Sequence, residues 1–258
     1  MTEAFYEPLG EDRFVSTKYT IGPWSAESQH LGPPSALLAR AVQRCAPRED
    51  LQLARITVEI LGPVPVAELE VRASVLRGGK AVEQIGAELV ANGRTVARPS
   101  AWRIAKTDTA HIAAATVPPL IPLSEGVQVY APTDWIDGYL SAMEWFAVRG
   151  DWVKPGAAAA WARQRVALVD GEEPDGLQRL MAVADSGNGL SNRLDIQQWM
   201  FINTELTVHL LREPEGEWIG LDAETAIGPT GLGIASSVLH DHLGQVGRGA
   251  QELLVRPR

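Results

Sequence analysis

Apolar residues recur at helical spacing in the stretch SALLARAVQRC, where Leu37, Leu38, Ala41, Val42 and Cys45 fall on one face. Pro33 and Pro34 open this run and Pro47 lies just beyond it, which predicts a helix of about three turns. Downstream the period shortens to two. Runs rich in β-branched residues near 53–62, 67–77, 81–91 and 94–105 predict four strands, and Asn92-Gly93 between the last two is a hairpin signal. The helix is therefore expected to lead into an antiparallel meander.

The same order returns later in the chain. A weaker strand near 144–150 and another near 163–169 precede a helical pattern over 174–185, carried by Leu177, Leu180, Met181 and Ala184. Strands near 201–213, 217–228, 231–241 and 246–256 follow. Slid along itself by 150 residues, the chain matches without a gap: RITVEILGPVPVAELEVRASV from Arg55 lies over ELTVHLLREPEGEWIGLDAET from Glu205, and Ile56-Thr57-Val58 over Leu206-Thr207-Val208. ELVANGRTVARPSAWR meets VLHDHLGQVGRGAQELLVR at nearly the same shift, with one residue added in the second turn. The pattern gives a duplicated α+β unit, divided as 1–106, a proline-bearing crossover over 107–142, and 143–258.

Composition narrows the setting. Hydrophobic residues at 45% and charged residues at 21% fit a globular chain that buries a core. The single cysteine, Cys45, rules out an intramolecular disulfide and a cysteine-built zinc site, and places the protein in a reducing, cytoplasmic compartment. The first thirty residues lack a signal-peptide pattern and no apolar stretch reaches membrane-spanning length. A net charge of −9 argues against nucleic acid as a partner, yet a local group of arginines could still hold coenzyme A phosphates.

The segments GPWSAESQHLGPPSALLARA and EWIGLDAETAIGPTGLGIASSVLHDHLGQVGRGAQELLVR resemble the acyl-CoA thioesterase II (thioesterase B) family, in its actinobacterial thioesterase-like branch. The resemblance implies a double hotdog, two tandem modules in which a curved antiparallel sheet wraps a helix. It also implies an acyl-CoA substrate, no cofactor and no metal. In that family a carboxylate, a hydroxyl and a glutamine of the second half hold the attacking water and polarise the thioester. The glutamine maps onto Gln251, and the hydroxyl onto Thr225 or, aligned from Trp218, onto Ala226. Strand neighbours face opposite sides, so that one step decides whether Thr225 meets the site. The carboxylate is either Glu205, aligned from Arg212, or Asp185, at the end of the second helix. At a shift of 150, Gln251 lies over Ala101, Thr225 over Val75 and Glu205 over Arg55, so that the glutamine and hydroxyl positions are polar only in the second copy.

Thioester hydrolysis needs a positioned water, a base, and donors for the charge that develops on the carbonyl oxygen. Backbone N–H groups near Gly32, or within 186–189 at Gly187, Asn188 and Gly189, are expected as those donors, and His30 as a ligand contact or helix cap. Other chemistries lack their marks. There is no G-x-S-x-G elbow, Walker loop or dinucleotide fingerprint, and His240 and His242 read as solvated residues beside a hairpin turn. The eight tryptophans are expected in the core or at the module junction, with one or two lining an acyl tunnel. The second functional reading is a non-catalytic acyl-CoA-binding protein. The exposed outer sheet faces are expected to make the chain a homo-oligomer, most simply a dimer of double hotdogs.

Overall fold

The computed structural model describes residues 3–130, 138–150 and 154–258. Two strands absent from the sequence reading come first, β1 (Ala4–Pro8) and β2 (Arg13–Ser16). Helix α1 (Gly32–Arg44) follows, with both prolines in its first turn, where a missing N–H is harmless. Residues 32 to 40 are buried without a break, so the helix is enclosed on all sides. The Arg103 guanidinium closes its far end by donating to the carbonyls of Val42, of Cys45 at 2.9 Å and of Ala46 at 3.0 Å, placing a cation on the negative pole of the helix. Strands β3 (Leu51–Ile60), β4 (Glu68–Arg77), β5 (Val82–Ala91) and β6 (Arg94–Ala105) form the expected meander. Asn92 and Gly93 take φ of 50° and 74°, the left-handed pair of a two-residue hairpin turn.

The crossover carries β7 (Val127–Val129) and a short helix, α2 (Tyr139–Ala142). The second module is then built from β8 (Met143–Arg149), β9 (Ala158–Gln164), β10 (Ala167–Val169), α3 (Gly176–Ala184), the single turn α4 (Gly187–Leu190), β11 (Trp199–Asn203), β12 (Glu205–Leu210), β13 (Ile219–Ile227), β14 (Leu232–Asp241) and β15 (Gly244–Pro257). The strand expected over 163–169 is thus two strands, the first an alanine-rich run held by pairing with β8 on one side and β13 on the other. Asp175 caps α3 by accepting from Gln178 N–H at 2.9 Å.

From edge to edge the strands run β10, β1, β2, β4, β5, β6, β3, β12, β15, β14, β13, β9, β8, β7, with β11 also on β15. Two sheets, each wrapped around its own helix, meet at β3 and β12 and form a double hotdog. Thr57 and Thr207, related by the repeat, are register partners across that seam, so the pseudo-twofold axis passes between them. Their hydroxyls are 3.0 Å apart. Parallel pairing of β10 with β1 ties the second half to the first a second time.

The crossover covers part of the second sheet's outer face. Trp161 Nε1 donates to Ile121 O at 2.8 Å, and Leu120 sits so close to Gly220 that a Cβ there would lie 2.7 Å from it. Under this cover His240 is 2% exposed, a correction to its reading as a solvated turn residue; it stands on β14 opposite Gly220, which leaves room for it. His242, in the turn itself, is exposed. Among the described residues no helix is long and apolar enough to cross a membrane.

Candidate functional site

Helices α1 and α3 pack side by side and antiparallel, so the start of α1 meets the end of α3. Asp185, the residue that ends α3, is 4% exposed. Its Oδ1 accepts from Asn203 Nδ2 at 2.8 Å and Gln251 Nε2 at 3.1 Å, and its Oδ2 lies 3.2 Å from His30 Nδ1. The backbone N–H groups of Leu31 and Gly32 also face the carboxylate. All of these partners are uncharged or held neutral, and burial outweighs them: it pushes the Asp185 carboxyl up to about 7. Burial likewise pulls the His30 imidazole down to about 3. The imidazole lies flat on the Tyr139 ring, with centroids 3.8 Å apart and planes at 9°. Tyr139 hydroxyl is 2.8 Å from Ala182 O, to which it donates, and 2.9 Å from Ser186 Oγ.

Gln251 joins this group through both ends of its amide. Its Nε2 also donates to Asp185 O at 3.0 Å, and its Oε1 accepts from Asn188 N–H at 3.0 Å. A Cβ at Gly187 would come within 2.9 Å of that Oε1, so the glycine is what lets α4 close on the amide. Thr225, Ala235 and Gln251 are register partners across β13, β14 and β15, which puts their side chains on one face. Thr225 is 5% exposed and its hydroxyl lies 2.7 Å from Ser191 Oγ, which donates to Gly187 O at 2.8 Å. Ala226 faces the solvent.

Glu205 does not enter the group. Its Oε2 accepts from Thr207 Oγ1 at 2.7 Å and its Oε1 from Glu252 N–H at 3.1 Å, on the face opposite the buried Leu206. Asn203, which sequence reasoning missed, does enter it. Pairing with β15 steps from Asn203↔Leu253 to Thr207↔Ala250, four residues against three, so one extra residue is inserted at Thr204 and the alternation flips there. Counting by twos from Leu206 sends Asn203 outward; a bulge, which no residue in FINTEL announces, turns it in.

The backbone donors expected here are partly committed. Gly32 N–H donates to His30 Nδ1 at 3.0 Å, and a Cβ on Gly32 would lie 2.3 Å from Ala182 O, so this glycine serves the close approach of the two helices. Beside Gly189 the space is open. A cleft too tight for a water molecule runs on from Asn188 and Thr225 between Arg193, Phe201, Ile227 and Leu253. Trp24 and Trp199 pack on the apolar cluster behind it, Trp24 at 5.1 Å from the Phe201 ring, while Trp145 and Trp161 are core residues. Trp135 and Trp152 lie outside the described residues. No cluster of three or more His, Cys, Asp or Glu side chains suited to a metal occurs among the described residues.

Two family descriptions match the sequence: an acyl-CoA thioesterase N-terminal domain over residues 20–104 and an acyl-CoA thioesterase C-terminal domain over 119–255. No curated protein sequence matches at a significant level. Among solved structures, the chain is similar to a candidate thioesterase II from Thermobifida fusca, with TM-score 0.74, 21% identity, and 97% of this chain and 95% of that one covered. A hot dog fold protein of unknown function from Alicyclobacillus acidocaldarius gives 0.75 at 16% identity, with 97% and 95% covered. An acyl-CoA thioesterase II from Mycobacterium marinum gives 0.67 at 13% identity, with 98% and 96% covered. At these identities the structural likeness speaks for the fold.

Proposed function

Because the chain belongs to the acyl-CoA thioesterase family, whose two domains match residues 20–104 and 119–255, we propose that it hydrolyses an acyl-CoA thioester with Asp185 as the base. One observation carries this reading: a buried carboxylate, raised to about 7, touches the amide of Gln251 directly at 3.1 Å. Such a carboxylate is ionised for about half the population at neutral pH and takes a proton readily. In the step proposed, water attacks the thioester carbon and Asp185 takes its proton. The tetrahedral intermediate then expels the coenzyme A thiolate, which recovers that proton from Asp185. Gln251 and Asn203 fix the carboxylate by holding Oδ1, Thr225 holds α4 in place through Ser191, and the open space beside Gly189 admits the thioester to the backbone of α4. The acyl chain is assigned to the line of the closed cleft toward Phe201 and Trp24, which has to widen by side-chain movement to admit it.

Free thiol release from short, medium and long acyl-CoAs tests the reading. Turnover at some chain length is expected. One observation favours the second reading, a non-catalytic acyl-CoA-binding protein: Asp185 is 4% exposed and its oxygens already meet several donors. No turnover at any length with retained coenzyme A binding would decide for it. We also propose a homodimer of double hotdogs, because Leu232, Ile234 and Leu254 leave apolar surface at 59%, 49% and 40% exposure on the second sheet's outer face. Light scattering that returns the mass of a single chain at every concentration overturns that assembly.

A further inference from the structure

His30 lies just ahead of α1 and Asp185 ends α3, yet the antiparallel packing of the helices brings Nδ1 and Oδ2 to 3.2 Å, with side-chain exposures of 14% and 5%. Two bare acceptors at that distance repel, so a proton belongs between them. The surroundings suit either location of that proton. Gly32 N–H is 3.0 Å from Nδ1 and also faces the Asp185 carboxylate, so it can donate to whichever acceptor is left bare. Tyr139 fixes the plane of the imidazole by stacking on it, and its own hydroxyl is turned to Ala182 O and Ser186 Oγ. The titratable groups facing Asp185 are His30 from the segment before α1 and Tyr139 from α2. Burial pushes the Tyr139 phenol up, so it stays neutral. Asn203 from β11 and Gln251 from β15 face Asp185 as uncharged amides.

We propose that His30 is a positioning residue that shares one proton with Asp185 across the Nδ1–Oδ2 contact, so that the imidazole tautomer follows the ionisation of the carboxylate. While Asp185 is ionised, the neutral imidazole carries its proton on Nδ1 and donates it to Oδ2. When the site takes up one proton, Nε2 receives it and the Nδ1 proton passes to Oδ2, leaving the imidazole neutral again. One proton enters and none leaves. The inference rests on the reading of Asp185 as base and adds the group that supplies a donor to that base in its active, ionised form.

The test is an NMR titration of the full chain from pH 5 to 9, following imidazole nitrogens and Asp carboxyl carbons, with the His30 signals assigned by loss in His30→Asn. The expected result is an exchange of roles between Nδ1 and Nε2 of His30, at the same midpoint as the Asp185 carbon, and a single frozen tautomer in Asp185→Asn. A His30 that keeps one tautomer throughout, or titrates to imidazolium regardless of Asp185→Asn, overturns the proposal. This readout needs no turnover, so it decides even where no acyl-CoA is cleaved, an outcome that would sink only the thioesterase reading. Where turnover is present, His30→Phe is expected to move the acid limb of kcat/KM upward by about one pH unit, because the ionised carboxylate loses a charge-assisted donor. His30→Asn, whose amide can donate or accept, is expected to restore most of that shift. A slower His30→Phe enzyme with an unmoved limb would overturn the inference; should that variant not fold, the titrations of the wild type and Asp185→Asn still decide between the outcomes.

Discussion

The pseudo-twofold axis gives the molecule two junctions where the end of one hotdog helix meets the start of the other, and they have opposite electrostatics. At the first, Asp185 faces His30, Asn203 and Gln251. At the second, Glu172 accepts from Arg40 Nε at 2.8 Å and Nη2 at 2.6 Å and from Arg44 Nη2 at 2.7 Å, while Gln43 donates to Asp175 at 2.8 Å. The Arg40 guanidinium holds Glu172 below the usual carboxylate range; with neutral partners alone, burial takes Asp185 above it. The sheet rows behind the junctions differ in the same sense. Thr225, Ala235 and Gln251 line one, and Val75, Ile85 and Ala101, each 150 residues earlier, line the other. The carboxylate proposed as the base is thus the buried one with no cation beside it.

The sharpest break of this contrast is Asp185→Asn. It preserves shape and most hydrogen bonds, and is expected to lower kcat/KM for acyl-CoA by about 10²–10⁴-fold while coenzyme A binding persists. The pH dependence of stability separates the two partners of that junction. Asp185 is raised to about 7 and contributes stability that is lost as pH rises through that value, whereas His30 is lowered to about 3 and contributes instability as pH falls below the ordinary imidazole value. Each alone gives a slope of about 1.4 kcal/mol per pH unit, and between pH 4 and 6.5 they oppose one another. Denaturant melts of the wild type are therefore expected to show no contribution from the pair in that window. His30→Asn unmasks a stability that rises toward acid and Asp185→Asn one that falls. Parallel curves for the two variants would break the account.

The duplication is legible in the sequence because strand pairing across the seam keeps repeat-related residues in register, as Thr57 and Thr207 show. Gln251 and Thr225, two positions the family resemblance offers, share one inner face because period-two alternation holds along the regular parts of β13 and β15, and the same alternation turns Ala226 to the solvent. What the sequence conceals depends on interruptions and on long-range packing. The extra residue at Thr204 turns Asn203 inward, and only the antiparallel approach of α1 to α3 makes His30, 155 positions before Asp185, its neighbour. Strands β1 and β2 are short and owe their order to partners on β4 and, through β10, to the other module, so their own residues carry little periodic signal.

A smaller effect is expected at the second junction. Glu172→Gln leaves Arg40, 8% exposed, without its anion, though Glu172 itself is 32% exposed and solvent screens part of the pair. The expected cost is about 1–2 kcal/mol of stability at neutral pH, measured by denaturant melts, with kcat changed by no more than about twofold. A drop in activity comparable to that of Asp185→Asn would mean that the second junction is not merely structural.

The smallest effect is assigned to Glu205, the carboxylate that a sequence alignment sets beside Asp185 as a candidate base. Its two oxygens are bound to Thr207 Oγ1 and Glu252 N–H on the outer side of β12, and Thr207 in turn reaches Thr57 on the pseudo-axis. Glu205→Gln keeps one acceptor oxygen for Glu252 N–H and replaces the other with an NH2 that can only donate, so the bond with Thr207 Oγ1 has to reverse, a change of about 0.5–1 kcal/mol in stability. Since no part of the side chain faces Asp185, kcat/KM is expected to stay within about twofold of the wild type and its acid limb to stay in place. The decisive comparison is a pH profile of Glu205→Gln beside that of Asp185→Asn. A loss of about 10²-fold or more in the former would return the base to β12 and remove the reason for the contrast between the junctions.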